Sequence, residues 1–224
     1  MQNTEPKIEL NTEPKIVYRF KQALYINLTN RCPNACVFCL KTKFAMRFEN
    51  YNLNLCGREP SSEEVLEEIY KGIKEAPIKE VVFCGYGEPT MRLNVLLEVA
   101  KTLKEKMAKG ELAKFKIRLN TMGMGNLVYG RDITSELAQV LDSINISINS
   151  PDEEEWKSIV RPQKEYAKDG YKSVLNFIKQ ASAKIDDVVV SIVDKQGIDA
   201  KKTEELAKSL GAKFYLREYI DAKK

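Results

Sequence analysis

Cys32, Cys36 and Cys39 stand in the run Asn30-Arg31-Cys32-Pro33-Asn34-Ala35-Cys36-Val37-Phe38-Cys39, a C-x3-C-x2-C spacing directly after an apolar stretch. Cysteines clustered this closely point to metal or redox chemistry before disulfides. Zinc in a closed structural site takes four protein ligands, and the chain contains no histidine to complete such a set. Cys56 would have to be the fourth ligand, which leaves structural zinc as one reading. Iron–sulfur clusters are also held by thiolates, normally one per iron of a four-iron cube. Three local cysteines would then leave one iron open to a ligand that is not protein.

The missing histidine removes the commonest general base and the commonest metal ligand. Ser-His-Asp and Cys-His nucleophiles, His-bound zinc hydrolases and two-His iron oxygenases are excluded with it. Catalysis must rest on carboxylates, lysine, cysteine or a cofactor. The rest of the composition is that of a soluble globular domain: 224 residues, 43% hydrophobic, 30% charged. The net charge of +4 is small and scattered, so nucleic acid is not indicated by it. No run approaches 18 apolar residues and the amino terminus is polar, so the chain is expected to be cytoplasmic, with no membrane partner.

These residues need a scaffold, and the sequence alternates accordingly. Apolar, β-rich segments stand at 24–28, 81–84, 115–119, 144–148, 188–193 and 214–216. Between most of them lie stretches with helical spacing: one opened by the capping signature Ser61-Ser62-Glu63-Glu64, then 94–107, 134–141, 171–183 and 200–210, the last closed by Gly211. This order predicts an α/β fold, a partial (β/α)6 barrel of TIM type with parallel strands and outer helices. Within the strands Leu24, Ile26, Leu28, Ile117, Leu119, Ile144, Ile146 and Ile148 share one face. Tyr25, Asn27, Thr29, Arg118, Asn120, Asn145, Ser147 and Asn149 take the other, and Ser191, Tyr215, Arg217 and Tyr219 lie on inner-facing positions of the last two strands. A polar concave lining suggests a ligand cavity, with the working end at the strands' carboxyl termini; the alternative is a sheet face left bare to solvent. Asn3–Ile8 recurs as Asn11–Ile16 (NTEPKI), so residues 1–16 are read as a repeated polar leader, flexible or a short extension, ahead of one domain from 17 to 224.

The cysteine loop, with Phe38 just before its third cysteine, resembles the signature of the radical S-adenosylmethionine (radical SAM) enzymes. Val81-Val82-Phe83-Cys84 running into Gly85-Tyr86-Gly87-Glu88-Pro89 resembles that superfamily's GGEP segment. More closely, LYINLTNRCPNACVFC, REPSSEEVL, EVVFCGYGEPTMRLNVLLEVA and RLNTMGMGNLVYGRDI look like the small TatD-associated radical SAM proteins, whose genes often neighbour TatD-type hydrolases. The similarity runs from about Val17 to Tyr219.

The resemblance implies that Cys32, Cys36 and Cys39 ligate three irons of a 4Fe-4S cluster and that S-adenosylmethionine (SAM) chelates the fourth. It implies that Phe38 lies against the adenine and that the Gly85–Pro89 segment, Tyr86 included, presents backbone to the SAM ammonium. Gly87 spares that turn a clashing side chain and Glu88 shapes it. Asn120, Ser147 and Asn149 match positions that contact ribose and carboxylate, and Arg161 is a carboxylate clamp or else a surface arginine. Met122 departs from the pattern where the superfamily more often carries Asn, which puts ribose contacts from that turn in doubt.

The implied activity is reductive cleavage of SAM to a 5'-deoxyadenosyl radical that abstracts hydrogen from a small, anionic or nucleotide-derived substrate. Flavodoxin or ferredoxin is the implied electron donor, and a functional link to a TatD-type hydrolase is possible. No protein base is then required. Cys84, Tyr25, Arg118 and Tyr219 are inner-face candidates for a radical or acid donor, though Cys84 reads first as a small buried hydrophobe. Arg118 and Arg217 favour an anionic group. Three ligands leave Cys56 and Cys84, too few for a second four-thiolate cluster, and Cys56 is expected to be unligated. The alternatives are a 7-carboxy-7-deazaguanine synthase-like enzyme, against which Leu40-Lys41 replaces the Asp-Thr expected after the third cysteine, and a glycyl-radical activase. Outside enzymes stand an electron-transfer iron–sulfur protein and structural zinc.

Overall fold

A computed structural model describes residues 13–194 and 197–219. In chain order the elements are β1 (Val17–Phe20), β2 (Ala23–Ile26), α1 (Leu40–Lys43), β3 (Arg47–Phe48), β4 (Tyr51–Asn52), α2 (Ser62–Glu75) and β5 (Glu80–Phe83). A 3-10 turn (Pro89–Arg92) leads into α3 (Leu93–Ala108), followed by β6 (Lys116–Thr121), α4 (Gly125–Tyr129), α5 (Thr134–Val140) and β7 (Ser143–Ser147). The chain continues through α6 (Glu153–Val160), α7 (Gly170–Ser182), β8 (Val188–Val193), α8 (Ala200–Ser209) and β9 (Lys213–Arg217).

One sheet takes seven strands in the order β1-β2-β5-β6-β7-β8-β9, and every pair from β2 to β9 is parallel. All six segments read as strands are therefore strands, joined by helical crossovers that return each to the same end. Two features depart from a (β/α)6 repeat. The sheet begins with β1, antiparallel to β2 through a hairpin with Lys21 at φ +53, and no helix follows β9 among the described residues.

The apolar stripe faces the helices as expected. Leu24, Ile26, Leu28, Ile117, Leu119, Ile144, Ile146 and Ile148 are buried in one core with Val65 and Ile69 of α2, Leu96 and Leu103 of α3, and Val174, Phe177 and Ile178 of α7. Helix α2 starts with a full capping box: Ser61 accepts from the Glu64 amide and the Glu64 carboxylate accepts from the Ser61 amide. Helix α6 was not anticipated. Its signal was present, since Asp152 accepts from the Glu155 amide and Glu153, Glu154 and Glu155 fill the positive first turn.

The first copy of the repeat lies outside the described residues. Of the second, Lys15 donates to the Asn52 carbonyl (2.8 Å) and Ile16 is buried in the core.

Candidate active site

The cysteine loop leaves the carboxyl end of β2 and is held from two sides. On one side it lies along the end of α6. The Ala35 amide donates to the Val160 and Arg161 carbonyls (3.2 and 3.0 Å), the Val37 amide to the Ile159 carbonyl (2.9 Å), and the Gln163 amide to the Pro33 carbonyl (2.9 Å). Gln163 Nε2 adds a bond to the Cys32 carbonyl (3.0 Å). Arg161 caps α6 in the left-handed region (φ +49), which turns its carbonyl towards Ala35. Its side chain, the expected carboxylate clamp, is exposed and makes no hydrogen bond or ion pair among the described residues.

On the other side the loop meets the Gly85–Pro89 turn. A Cβ on Gly87 would stand 2.2 Å from the Thr29 carbonyl oxygen and 2.6 Å from that of Arg31, and the Glu88 amide donates to the Arg31 carbonyl (2.9 Å). The clash that Gly87 avoids is thus with the chain's own backbone, one residue ahead of Cys32. Gly85 is packed as tightly, with Asn27 Oδ1 2.3 Å from the position of its missing Cβ.

Glu88 is buried and its carboxylate accepts from the Thr90 amide (3.1 Å), Thr90 Oγ1 (2.8 Å), Thr121 Oγ1 (2.7 Å) and the Met122 amide (2.8 Å). It ties the end of β5 to the end of β6. Glu88→Gln keeps the shape and turns one acceptor atom into a donor facing other donors. The expected loss is about 1–3 kcal/mol, read as a lower urea midpoint at unchanged slope; a midpoint equal to wild type would remove this role.

A third brace comes from residues to which the sequence assigned no structural role. Glu59 accepts from Arg31 Nε and Nη2 (2.6 and 3.0 Å) and from Thr29 Oγ1 (2.8 Å), with Arg92 Nη1 at 3.5 Å. Asn27, expected on the cavity wall, is fully buried and donates to the Leu53 carbonyl (2.9 Å), while Asn30 accepts from the Leu55 amide (2.7 Å). The β3–β4 segment is thereby fastened over the inner face of β2. Tyr18, Phe20, Tyr25, Phe48 and Tyr51 form one ring cluster there, Tyr18 stacked on Tyr25 at 5.5 Å. The Tyr86 hydroxyl donates to the Arg47 carbonyl, and burial pushes its pKa up to about 12. One flank of the expected polar cavity is therefore packed with aromatic rings.

The other flank remains polar. Register places Arg118 opposite Ser143, Asn120 opposite Asn145, Ser147 opposite Ser191, Ser191 opposite Tyr215, and Val193 opposite Arg217. The Asn120 amide oxygen accepts from Arg118 Nη1 (2.6 Å), and its side chain also hydrogen-bonds the Cys84 thiol. The Asn149 oxygen accepts from Arg217 Nη2 (3.1 Å), and Ser191 Oγ donates to Asn145 (2.8 Å). Met122 is half-buried, its sulfur 4.0 Å from Asn149 Nδ2. The Ser147 hydroxyl is half-buried and makes no hydrogen bond among the described residues. Tyr219 hydrogen-bonds Lys43, which also lies over its ring at 4.2 Å.

All five cysteines are free. Burial pushes the Cys32 and Cys36 thiols up to about 12, reinforced by Glu88 at Cys32 and by the neighbouring cysteines at Cys36. Thiols in such surroundings ionise when a cation takes the place of their protons. Among the described residues no three His, Cys, Asp or Glu side chains converge as ligands of a single ion. The buried Asn34 amide, with both polar atoms unpartnered inside the loop, adds hydrogen-bonding capacity facing no protein group. Cys56 is exposed in a separate turn (φ +54), its sulfur near the Asn54 carbonyl oxygen. Phe38 is half-buried and packs against the core beside the cysteines. Clefts lined by Lys184, Asp186 and Lys213, and by Asn126, Asp132 and Lys172, contain none of the expected site residues.

Comparison with known proteins gives the family. Residues 26–210 match the family model of the Radical SAM superfamily. Curated relatives include a dual-specificity RNA methyltransferase RlmN from Buchnera aphidicola subsp. Schizaphis graminum, 28% identical over 80% of this chain and 47% of the relative. Another, from Ruthia magnifica subsp. Calyptogena magnifica, is 23% identical over 93% of this chain and 58% of the relative. The chain thus spans about half the length of the curated relatives it matches. Among solved structures, a radical SAM methyltransferase from Sphaerobacter thermophilus superposes with TM-score 0.59 at 16% identity, over 90% of this chain and 57% of that one. Native anSMEcpe with bound AdoMet superposes with TM-score 0.63 at 16% identity, over 88% and 50%.

Two expectations are not carried by these matches. None of the matches cited is to a TatD-associated protein, and relatives named as RNA methyltransferases leave the expectation against nucleic acid without support. No described helix is long and apolar enough to cross a membrane. The family uses a 4Fe-4S cluster and SAM, which the three-cysteine loop fits. With its matched span covering most of the sequence and the cysteine loop at its start, the chain belongs to the radical SAM superfamily.

Proposed function

We propose that Cys32, Cys36 and Cys39 hold the cluster, that SAM binds across the Gly85–Pro89 turn, and that the polar flank of the concave face receives an anionic substrate. The observation that carries this is the backbone contact of Gly87 with Thr29 and Arg31, supported by the Glu88 bond to Arg31. It makes the cysteine loop and the Gly85–Pro89 turn one rigid body at the carboxyl end of the sheet. Cluster and SAM together supply a one-electron cleavage whose 5'-deoxyadenosyl radical takes a hydrogen atom from substrate. The chain's residues bind and orient: Phe38 offers a ring to the adenine, Tyr86 and its neighbours offer backbone, Asn120, Ser147 and Asn149 offer polar contacts, and Arg161 is free to meet the SAM carboxylate. A flavodoxin or ferredoxin supplies the electron.

The substrate is read as a small anion or nucleotide. A nucleotide within RNA is the second reading, favoured by the names of the curated relatives. The finer assignment to the TatD-associated group, with its link to a TatD-type hydrolase, rests on the sequence resemblance alone. The binding half of the proposal is tested by electron paramagnetic resonance of the anaerobically reconstituted, dithionite-reduced chain. Adding SAM should change the cluster spectrum; a spectrum that SAM leaves unmoved would contradict coordination at an open iron.

A further inference from the structure

We infer that Arg217 anchors a negatively charged oxygen group of the substrate, a carboxylate or phosphate, on the concave face. The inference deepens the proposed function and rests on it. Two arginines reach this face, and they are not equivalent. Arg118 is already neutralised, its Nε and Nη2 bound by the two Glu80 oxygens (2.9 and 2.8 Å) and its Nη1 by Asn120. Arg217 makes one side-chain bond, from Nη2 to Asn149. Its Nε is buried with no partner, and no carboxylate pairs with it among the described residues.

A guanidinium keeps its proton when buried, so the charge stays. A half-buried charge without a counter-ion and a buried N–H without a partner are each costly, and an arriving oxyanion offsets both. The charge-bearing groups that bear on Arg217 are the Cys84 and Cys36 thiols and the Tyr215 phenol, and none of these is a carboxylate. Once Cys36 ligates iron, its negative charge is shared with the metal.

The fork is also aimed. Asn149 sits fully buried in the left-handed region (φ +66) just beyond β7, its Nδ2 donating to the Ser147 carbonyl (3.2 Å), so its oxygen is fixed where it meets Nη2. The unpartnered Ser147 hydroxyl is the preceding inward group of that strand. Arg161, at the cysteine loop, is free for the SAM carboxylate, whereas Arg217 comes from β9, last in the strand order, where Tyr215 is 56% exposed. Among the described residues no strand follows β9, and the substrate is placed at that edge.

The test uses the reconstituted full chain titrated with inorganic phosphate and with acetate at constant ionic strength, by calorimetry, beside R217Q and R217K. Phosphate should bind at least about tenfold more weakly to R217Q. R217K, which keeps the charge without the fork, should fall between the two and carries the test if R217Q does not fold. SAM and decarboxylated SAM are titrated in parallel, and the ratio of their affinities should be the same in wild type and variants. Phosphate and acetate affinities unchanged in both variants would overturn the inference. So would a tenfold loss of SAM affinity that decarboxylated SAM escapes, since Arg217 would then hold the SAM carboxylate. Failure of the wild-type chain to cleave SAM would instead sink the proposed function, whatever phosphate does.

Discussion

Alanine at Cys32, Cys36 or Cys39 is expected to leave a chain that assembles no complete four-iron cluster and forms no 5'-deoxyadenosine above background. The rate loss is on the order of 10³-fold or more, because the source of the electron is removed and not merely weakened. The three positions should be equivalent in this assay, since each thiolate binds a different iron and none can substitute for another. Cys56→Ala should load iron and cleave SAM as wild type does, its thiol being exposed and engaged only with the Asn54 carbonyl. Cys84→Ala should also retain iron, because Cys84 stands on the inner face with Asn120. Iron content by colorimetry and product by chromatography decide the matter. Zinc in the purified protein, lost on Cys56→Ala, would favour the structural-zinc reading instead.

The second large effect is on stability. Gly87→Ala should cost about 3 kcal/mol or more, because the new methyl group meets two backbone carbonyls that cannot rotate away. For a chain of this size that corresponds to a fall in Tm on the order of 6–12 °C. Iron loading should fall with it, since the displaced backbone at Thr29 and Arg31 leads straight into Cys32. Gly110→Ala is the control: Gly110, unlike Gly87, lies in the left-handed region (φ +73), and it has nothing within 4 Å of its missing Cβ. Its cost should stay near the 1–2 kcal/mol of backbone strain alone. Calorimetry of the two variants separates contact from strain, and equal losses would remove the backbone contact as the reason for Gly87.

The sheet was legible because its periodicity is local. Strands β2, β6 and β7 announce themselves by alternation and β5 and β8 by short apolar runs, and the cysteine spacing and the Gly85–Pro89 turn are contiguous in sequence. What the sequence left hidden is what depends on distant partners. Asn27 reads as a polar wall residue by alternation, and only the Leu53 carbonyl, 26 residues away, makes it a strut. Asn120 and Asn149 match cofactor-contact positions, yet their amide oxygens are taken by Arg118 and Arg217. Arg161 was marked for its guanidinium, and its backbone is the part that supports the loop. The short strand β1 and the β3–β4 hairpin carry too few residues for a pattern, and their aromatic rings gain meaning only when stacked together. Glu59 had no motif of its own to show that it gathers Arg31, Arg92 and Thr29.

The central claim is that this scaffold holds a cluster with one open iron and uses it on SAM. Its most direct test is anaerobic reconstitution of the chain with iron and sulfide, reduction with dithionite, and chromatography for 5'-deoxyadenosine with and without SAM. The account predicts 5'-deoxyadenosine only when cluster, reductant and SAM are all present. A complete four-iron cluster that leaves SAM intact would contradict it.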